Sequence, residues 1–232
     1  IRRILDTSYP LAGMRQVYDA HEVPRPGFVE TGIGEVPDLP QGGAFVHTLI
    51  GENRIVKLTH DDKVAGTATF ETPGMLSLNP DNGMMYVGRS MTAVNPPQRI
   101  GVIRRSDMSI EEVGVMFPRP HAMALARKTG MVYTASLGVN QIAAMDIATE
   151  QVTITNVAGP QHALMQFAVA PDGRTMVVSA ELSGKVLVFD IASDPKTPRL
   201  VKTVDVGMQP FDPIYTHDGR WVYLGNKAAN TI

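Results

Sequence analysis

Short apolar runs alternate with turns along most of this chain, and each run is too brief for a helix of ordinary length. Four segments share one order: an apolar run, a turn ending in glycine, and a second apolar run. They are MLSLNPDNGMMYVG (75–88), AMALARKTGMVYTAS (122–136), FAVAPDGRTMVVSA (167–180) and DPIYTHDGRWVYLG (212–225). The turn glycines Gly83, Gly130, Gly173 and Gly219 are 47, 43 and 46 residues apart. A hairpin turn often needs positive φ at its last residue, which glycine adopts without steric cost. Branched aliphatic residues that open a third run give the same period: Ile55, Ile100, Ile142, Val186 and Ile232 are 45, 42, 44 and 46 apart.

Two independent landmarks therefore define a repeat of the length of a propeller blade. The clearest unit predicts strands at about 121–127, 131–137, 141–148 and 151–158. The next predicts about 165–171, 175–181, 185–193 and 199–206. A lone four-stranded sheet is marginal and buries its faces by stacking on neighbours. No segment of eleven or more residues holds an apolar stripe at helical spacing between its turn signals. The expected fold is all-β: a β-propeller of four-stranded antiparallel blades, seven when complete, with four to five represented. Residues 1–40, rich in Pro and Gly, read as an irregular N-terminal arm, and 41–232 as propeller blades. Because the repeat stops inside a blade, the expectation is a longer native protein or a second chain covering that edge.

The units resemble the YVTN-type β-propeller repeat. The likeness rests on AVAPDGRTMVVSAELSGKVLVFDIAS, MVYTASLGVNQIAAMDIAT and YTHDGRWVYLGNKAANTI, and spans about 44–232. Two features depart from the pattern: RKTG replaces the usual PDG at 127–130, and SMTAVNPPQ (90–98) is inserted after a second strand. Proteins with this repeat are often extracytoplasmic, so the resemblance implies a periplasmic or extracellular location. It says little about activity, because one propeller scaffold carries many functions.

Composition narrows the chemistry. The net charge of −2 offers no basic field for nucleic acid. No apolar run is long enough to cross a membrane as a helix. Cysteine is absent, which removes disulfides, Cys-ligated metals, thiol catalysis and covalent c-type haem. The 13 methionines form no M-x-x-M array and suit core filling better than copper binding.

Six histidines, His21, His47, His60, His121, His162 and His217, are the candidate metal ligands. His121 (RPHAMAL) and His162 (PQHALMQ) stand at the entrance to first strands in consecutive blades, which places them toward a propeller's axis. Propeller domains of nitrous oxide reductase and of haem-containing nitrite reductases carry histidine ligands near that axis. The comparable places in the flanking blades hold Met75 and Phe211, so no ring of ligands is completed. Asp146 and Asp190 recur at the ends of third strands, and Asp172 and Asp218 lie in turns. The two turn residues read as acceptors of backbone N–H groups, and Asp146 and Asp190, 44 residues apart, as structural features of the repeat. Glu111 and Glu112 are neighbours on a strand, so they face opposite ways and form no acid/base pair. Arg2–Arg3 and Arg104–Arg105 read as solvated basic pairs. No nucleophile elbow and no phosphate-binding loop is present.

The reading that follows is a non-catalytic extracytoplasmic propeller. It would bind or scaffold protein partners, within a membrane-associated complex, and use no cofactor. The alternative is a redox enzyme or electron-transfer accessory with a metal or haem near His121 and His162. A third reading, a lactonase- or hydrolase-like propeller with a central calcium, needs several inward Asp, Asn or Glu residues, and no such set is found.

Overall fold

The computed structural model describes residues 29–30, 33–35, 44–59 and 63–232. Its architecture is all-β, and no α-helix occurs among those residues. The first sheet has the order β1 (Val29–Glu30), β2 (Ile33–Glu35), β3 (Ala44–Leu49), β4 (Arg54–Thr59) and β5 (Val64–Thr69). Three four-stranded sheets follow, each in sequence order. The first of them is β6 (Pro73–Leu78), β7 (Met84–Arg89), β8 (Arg99–Arg104) and β9 (Ile110–Gly114). Next come β10 (Pro120–Ala126), β11 (Met131–Ser136), β12 (Gln141–Asp146) and β13 (Val152–Asn156). The last full sheet is β14 (Leu164–Val169), β15 (Thr175–Ala180), β16 (Lys185–Asp190) and β17 (Arg199–Asp205). A hairpin of β18 (Pro210–Tyr215) and β19 (Val222–Asn226) completes the set. Most of the stretch read as an irregular arm lies outside the described residues; 29–30 and 33–35 form a short antiparallel hairpin that pairs with β3.

The expected turns hold, as do four of the five aliphatic landmarks, the exception being the exposed Ile232. Gly83, Gly130, Gly173 and Gly219 have φ between 67° and 72°, the region closed to most side chains. Ile55, Ile100, Ile142 and Val186 are buried. Asp146 Oδ1 accepts the N–H groups of Ala148 and Thr149, and Asp190 Oδ1 those of Ala192 and Ser193. Asp172 and Asp218 each cap the N–H two residues on. Side-chain and backbone donors hold the Asp190 carboxylate well below the usual range, with Ser193 the main contributor.

The chain divides into two compact units, 1–87 with 101–111, and 88–100 with 112–232. The first has its own core, including Val46, Ile55, Phe70, Leu76, Met85 and Ile103. In the second, a single cluster draws on both full sheets. Small residues Ala122, Ala124, Ala126, Ala135 and Ala144 accompany bulky Leu164, Phe167, Met176, Leu187 and Phe189. Alternating small and large side chains lets two twisted sheets interlock at interior density. The rings of Tyr133 and Phe167, one from each sheet, lie 6.5 Å apart and tilted at 53°. One basic pair departs from the solvated reading. Arg105 has Nε and Nη1 withdrawn from water, and its carbonyl accepts Lys57 Nζ. Lys57 of β4 reaches the Arg105 turn from 48 residues away, which a sequence repeat does not register.

Candidate interaction face

In an antiparallel blade the turn between second and third strands and the connection to the next blade emerge at the same end. In the second unit that end consists of 90–98, 115–119, 137–140, 157–163, 181–184, 206–209 and 227–230. Each first strand here is entered through a non-glycine residue in the left-handed region: Arg119 (φ 53°), Ala163 (φ 50°) and Gln209 (φ 53°). Each of their carbonyls accepts a hydrogen bond from the residue just after the second strand: Leu137, Glu181 and Lys227, at 3.2, 3.1 and 2.9 Å. Repeated αL residues cost free energy and persist only where surrounding contacts fix them. Here they fix the loops against one another.

The loop end is apolar at its surface. Val94, Met116, Val139, Leu182 and Met208 all stand there, with exposures from 37% for Val139 to 93% for Val94. Met116 is itself held at φ 56° while its side chain points to water. Only Arg119, Glu181 and Lys227 carry charge in these seven loops. At the opposite end every turn of the unit exposes charge: Lys128, Glu150, Asp172 with Arg174, Asp194 with Lys196, and Asp218 with Arg220. Trp221 and Val222, beside the last of those turns, are exposed large apolar residues at that end.

Both candidate histidines belong to the loop end, but at different places. His121 lies two residues after its left-handed residue, inside β10, where the register shifts between Pro120 and Ala122. His162 lies one residue before its left-handed residue and outside β14. The match of PHA with QHA is thus not a structural equivalence, because the bulge in the next strand falls later, between Leu164 and Gln166. The structural counterparts of His121 are Gly74, Met165 and Phe211 rather than Met75 and Phe211.

His162 ties three loops. Its Nε2 faces the Ala158 carbonyl at 3.1 Å, and its Nδ1 the Ser183 hydroxyl at 2.8 Å. Its backbone N–H donates to Asn140 Oδ1, and its carbonyl accepts from Leu182. A carbonyl only accepts, so in the neutral ring Nε2 carries the proton and Ser183 donates to Nδ1. His121 donates from Nδ1 to the Arg89 carbonyl at 2.8 Å, which leaves the Nε2 lone pair. Burial, and secondarily the charge of Arg119, hold its pKa below the ordinary value, against the opposing bond to Arg89. Arg89 is fully buried, donating to the Arg99 carbonyl and pairing with Glu112 at 2.7 Å. Gly88 keeps this junction close, because a Cβ there would lie 2.5 Å from the His121 carbonyl oxygen.

Among the described residues, no group of three or more His, Cys, Asp or Glu side chains converges as a metal site. His21 and His60 lie outside the described residues. Asp212, in the bulge of β18, was not singled out by the sequence. It has φ 38°, its Oδ1 is buried without a partner, and burial raises its pKa to about 6. It lines a shallow cleft of about 310 Å³ with Phe211, Asn226 and Lys227.

The sequence profile named "Lactonase, 7-bladed beta-propeller" matches residues 93–232. The chain belongs to this lactonase propeller family. No curated protein matches it. Solved structures share the fold with this lactonase-family chain at low identity. Hydrazine synthase of Kuenenia stuttgartiensis is 18% identical, with TM-score 0.63 over 78% of this chain and 51% of that one. A streptogramin B lyase is 16% identical, with TM-score 0.67 over 87% and 63%. A chain of a nidogen/laminin complex is 11% identical, with TM-score 0.63 over 87% and 73%. The chain thus spans about half to two thirds of the length of the first two.

Proposed function

We propose that this propeller is a protein-binding subunit of a larger extracytoplasmic assembly, and that it docks its partner on the loop end of the second unit. The observation that carries this reading is the segregation of surface chemistry. Five exposed apolar side chains stand at one end of the blades, and the charged turns stand at the other. Exposed apolar groups gathered on one face mark interaction sites. The loops carrying them are cross-linked by the His162 and left-handed-residue contacts, so little ordering entropy is lost on docking. The YVTN-like repeat supports the extracytoplasmic placement. A metal or haem centre on His121 and His162 has less support, because His162 uses both ring nitrogens within the protein.

Site-specific photo-crosslinking of the full chain in its native cells tests the reading. A crosslinker at Val94 or Leu182 is expected to capture one and the same protein, identified by mass spectrometry. A crosslinker at Lys128 or Lys196 is expected not to. Equal capture from both ends, or none from the loop end, contradicts it.

A further inference from the structure

Arg119, at the loop end, is a cation with no carboxylate partner among the described residues; Lys227, the other cation there, lies over the Phe211 ring at 6.0 Å. Arg119 directs one Nη to the Met91 carbonyl at 2.7 Å, which pins the inserted loop 90–98. Its Nε is sealed from water and meets no acceptor, and no carboxylate pairs with it among the described residues. Arg89, by contrast, is neutralised by Glu112. The sealed Nε lies beyond a partner's reach, so any acceptor that a bound segment brings meets the Nη edge, where Arg119 carries a charge with no carboxylate beside it among the described residues. Arg119 is also placed to read a partner. It lies three residues from exposed Met116, its side chain is bonded to the loop that carries Val94, and its carbonyl is bonded to the loop that carries Val139.

We propose that Arg119 is the specificity-determining residue of the docking end, and that the partner segment it accepts carries a carboxylate flanked by apolar side chains. This rests on the docking reading above. The apolar residues Val94, Met116, Val139, Leu182 and Met208 supply contact area that is indifferent to sequence. Discrimination then falls to the charge-assisted bond, whose planar fork favours a carboxylate over a neutral amide. An acidic side chain and a chain-terminal carboxylate offer the same group, and the experiment separates them.

The test is a selection of random phage-displayed peptides on the immobilised full chain, followed by titration of synthetic peptides. Peptides enriched on the wild type are expected to combine apolar residues with one Asp or Glu, or with a free C-terminus. Replacing that acid by its amide, or amidating the terminus, identifies the source. The acidic form is expected to bind about tenfold tighter than the amide form, in the range of charged interfacial pairs. In Arg119→Gln the ratio is expected to fall below about twofold, with the amide peptide's affinity little changed; a merely structural role would weaken both forms together. Arg119→Glu is expected to invert the preference toward a Lys-bearing peptide. A wild-type ratio near one, or a ratio that survives Arg119→Gln, overturns the assignment. Failure of any peptide to enrich, or enrichment unaffected by Met116→Asp and Leu182→Asp together, overturns the docking reading itself.

Discussion

Phe167→Ala tests whether neighbouring blades hold each other up. Phe167 lies in β14, is 5% exposed, faces Val178 across its own sheet, and meets Tyr133 of the adjacent sheet. Removing a buried Phe ring costs about 3–5 kcal/mol, the sum of lost transfer free energy and an unfilled cavity. The sharing between blades appears as a coupling: a tilted aromatic pair contributes about 0.5–1.5 kcal/mol beyond its area. Phe167→Ala and Tyr133→Leu, alone and combined, are therefore expected to be non-additive by that amount. The assay is urea unfolding of the full chain followed by far-ultraviolet circular dichroism. With a slope of about 3 kcal/mol per molar, Phe167→Ala lowers the midpoint by about 1–1.7 M. A loss under about 1 kcal/mol, or strict additivity with Tyr133→Leu, refutes the shared core.

Three further outcomes follow from single groups. Tyr133→Phe removes the donor to the Pro195 carbonyl, 2.7 Å away, and is expected to cost about 1 kcal/mol, since that half-exposed carbonyl can turn to water; urea midpoints check it. His121 titrates below its ordinary 6.5 in the folded chain. The unfolded chain then binds more protons below that pH, so stability falls as pH drops from 6.5 toward the folded value. Melting temperatures between pH 5 and 8 are expected to fall more steeply in wild type than in His121→Asn. Asp212 has the opposite sign, being raised from 3.8 to about 6. Its folded form holds the proton longer, so wild type loses stability as pH rises across that interval. Asp212→Asn is expected to melt higher than wild type above pH 6, and the difference is expected to vanish near pH 4.

Much of the fold was legible because its determinants are local. Turn glycines at positive φ, Asp caps and alternating apolar strands each impose themselves on their immediate neighbours, as Gly173 and Asp172 do together. The arrangement of the loop end was not legible in the same way. Its left-handed residues are Arg, Ala and Gln, which share no chemistry. The one hint is the proline after Arg119 and Gln209, since a following proline disfavours the right-handed helical well. The displacement of His162 relative to His121 depends on where a bulge falls, and periodicity averages over a single inserted residue. Arg119 and Asp212 stand out only through missing partners, which are properties of the packed structure.

The most direct test of the account is oxidative footprinting of the purified full chain with and without the crosslink-identified partner. Hydroxyl radicals label exposed Val94, Met116, Leu182 and Met208 in the free chain. Docking at the loop end predicts protection of those four residues, with labelling at 127–130, 171–174 and 216–221 unchanged. Protection of the charged turns and Trp221, with the four apolar residues still labelled, would contradict it.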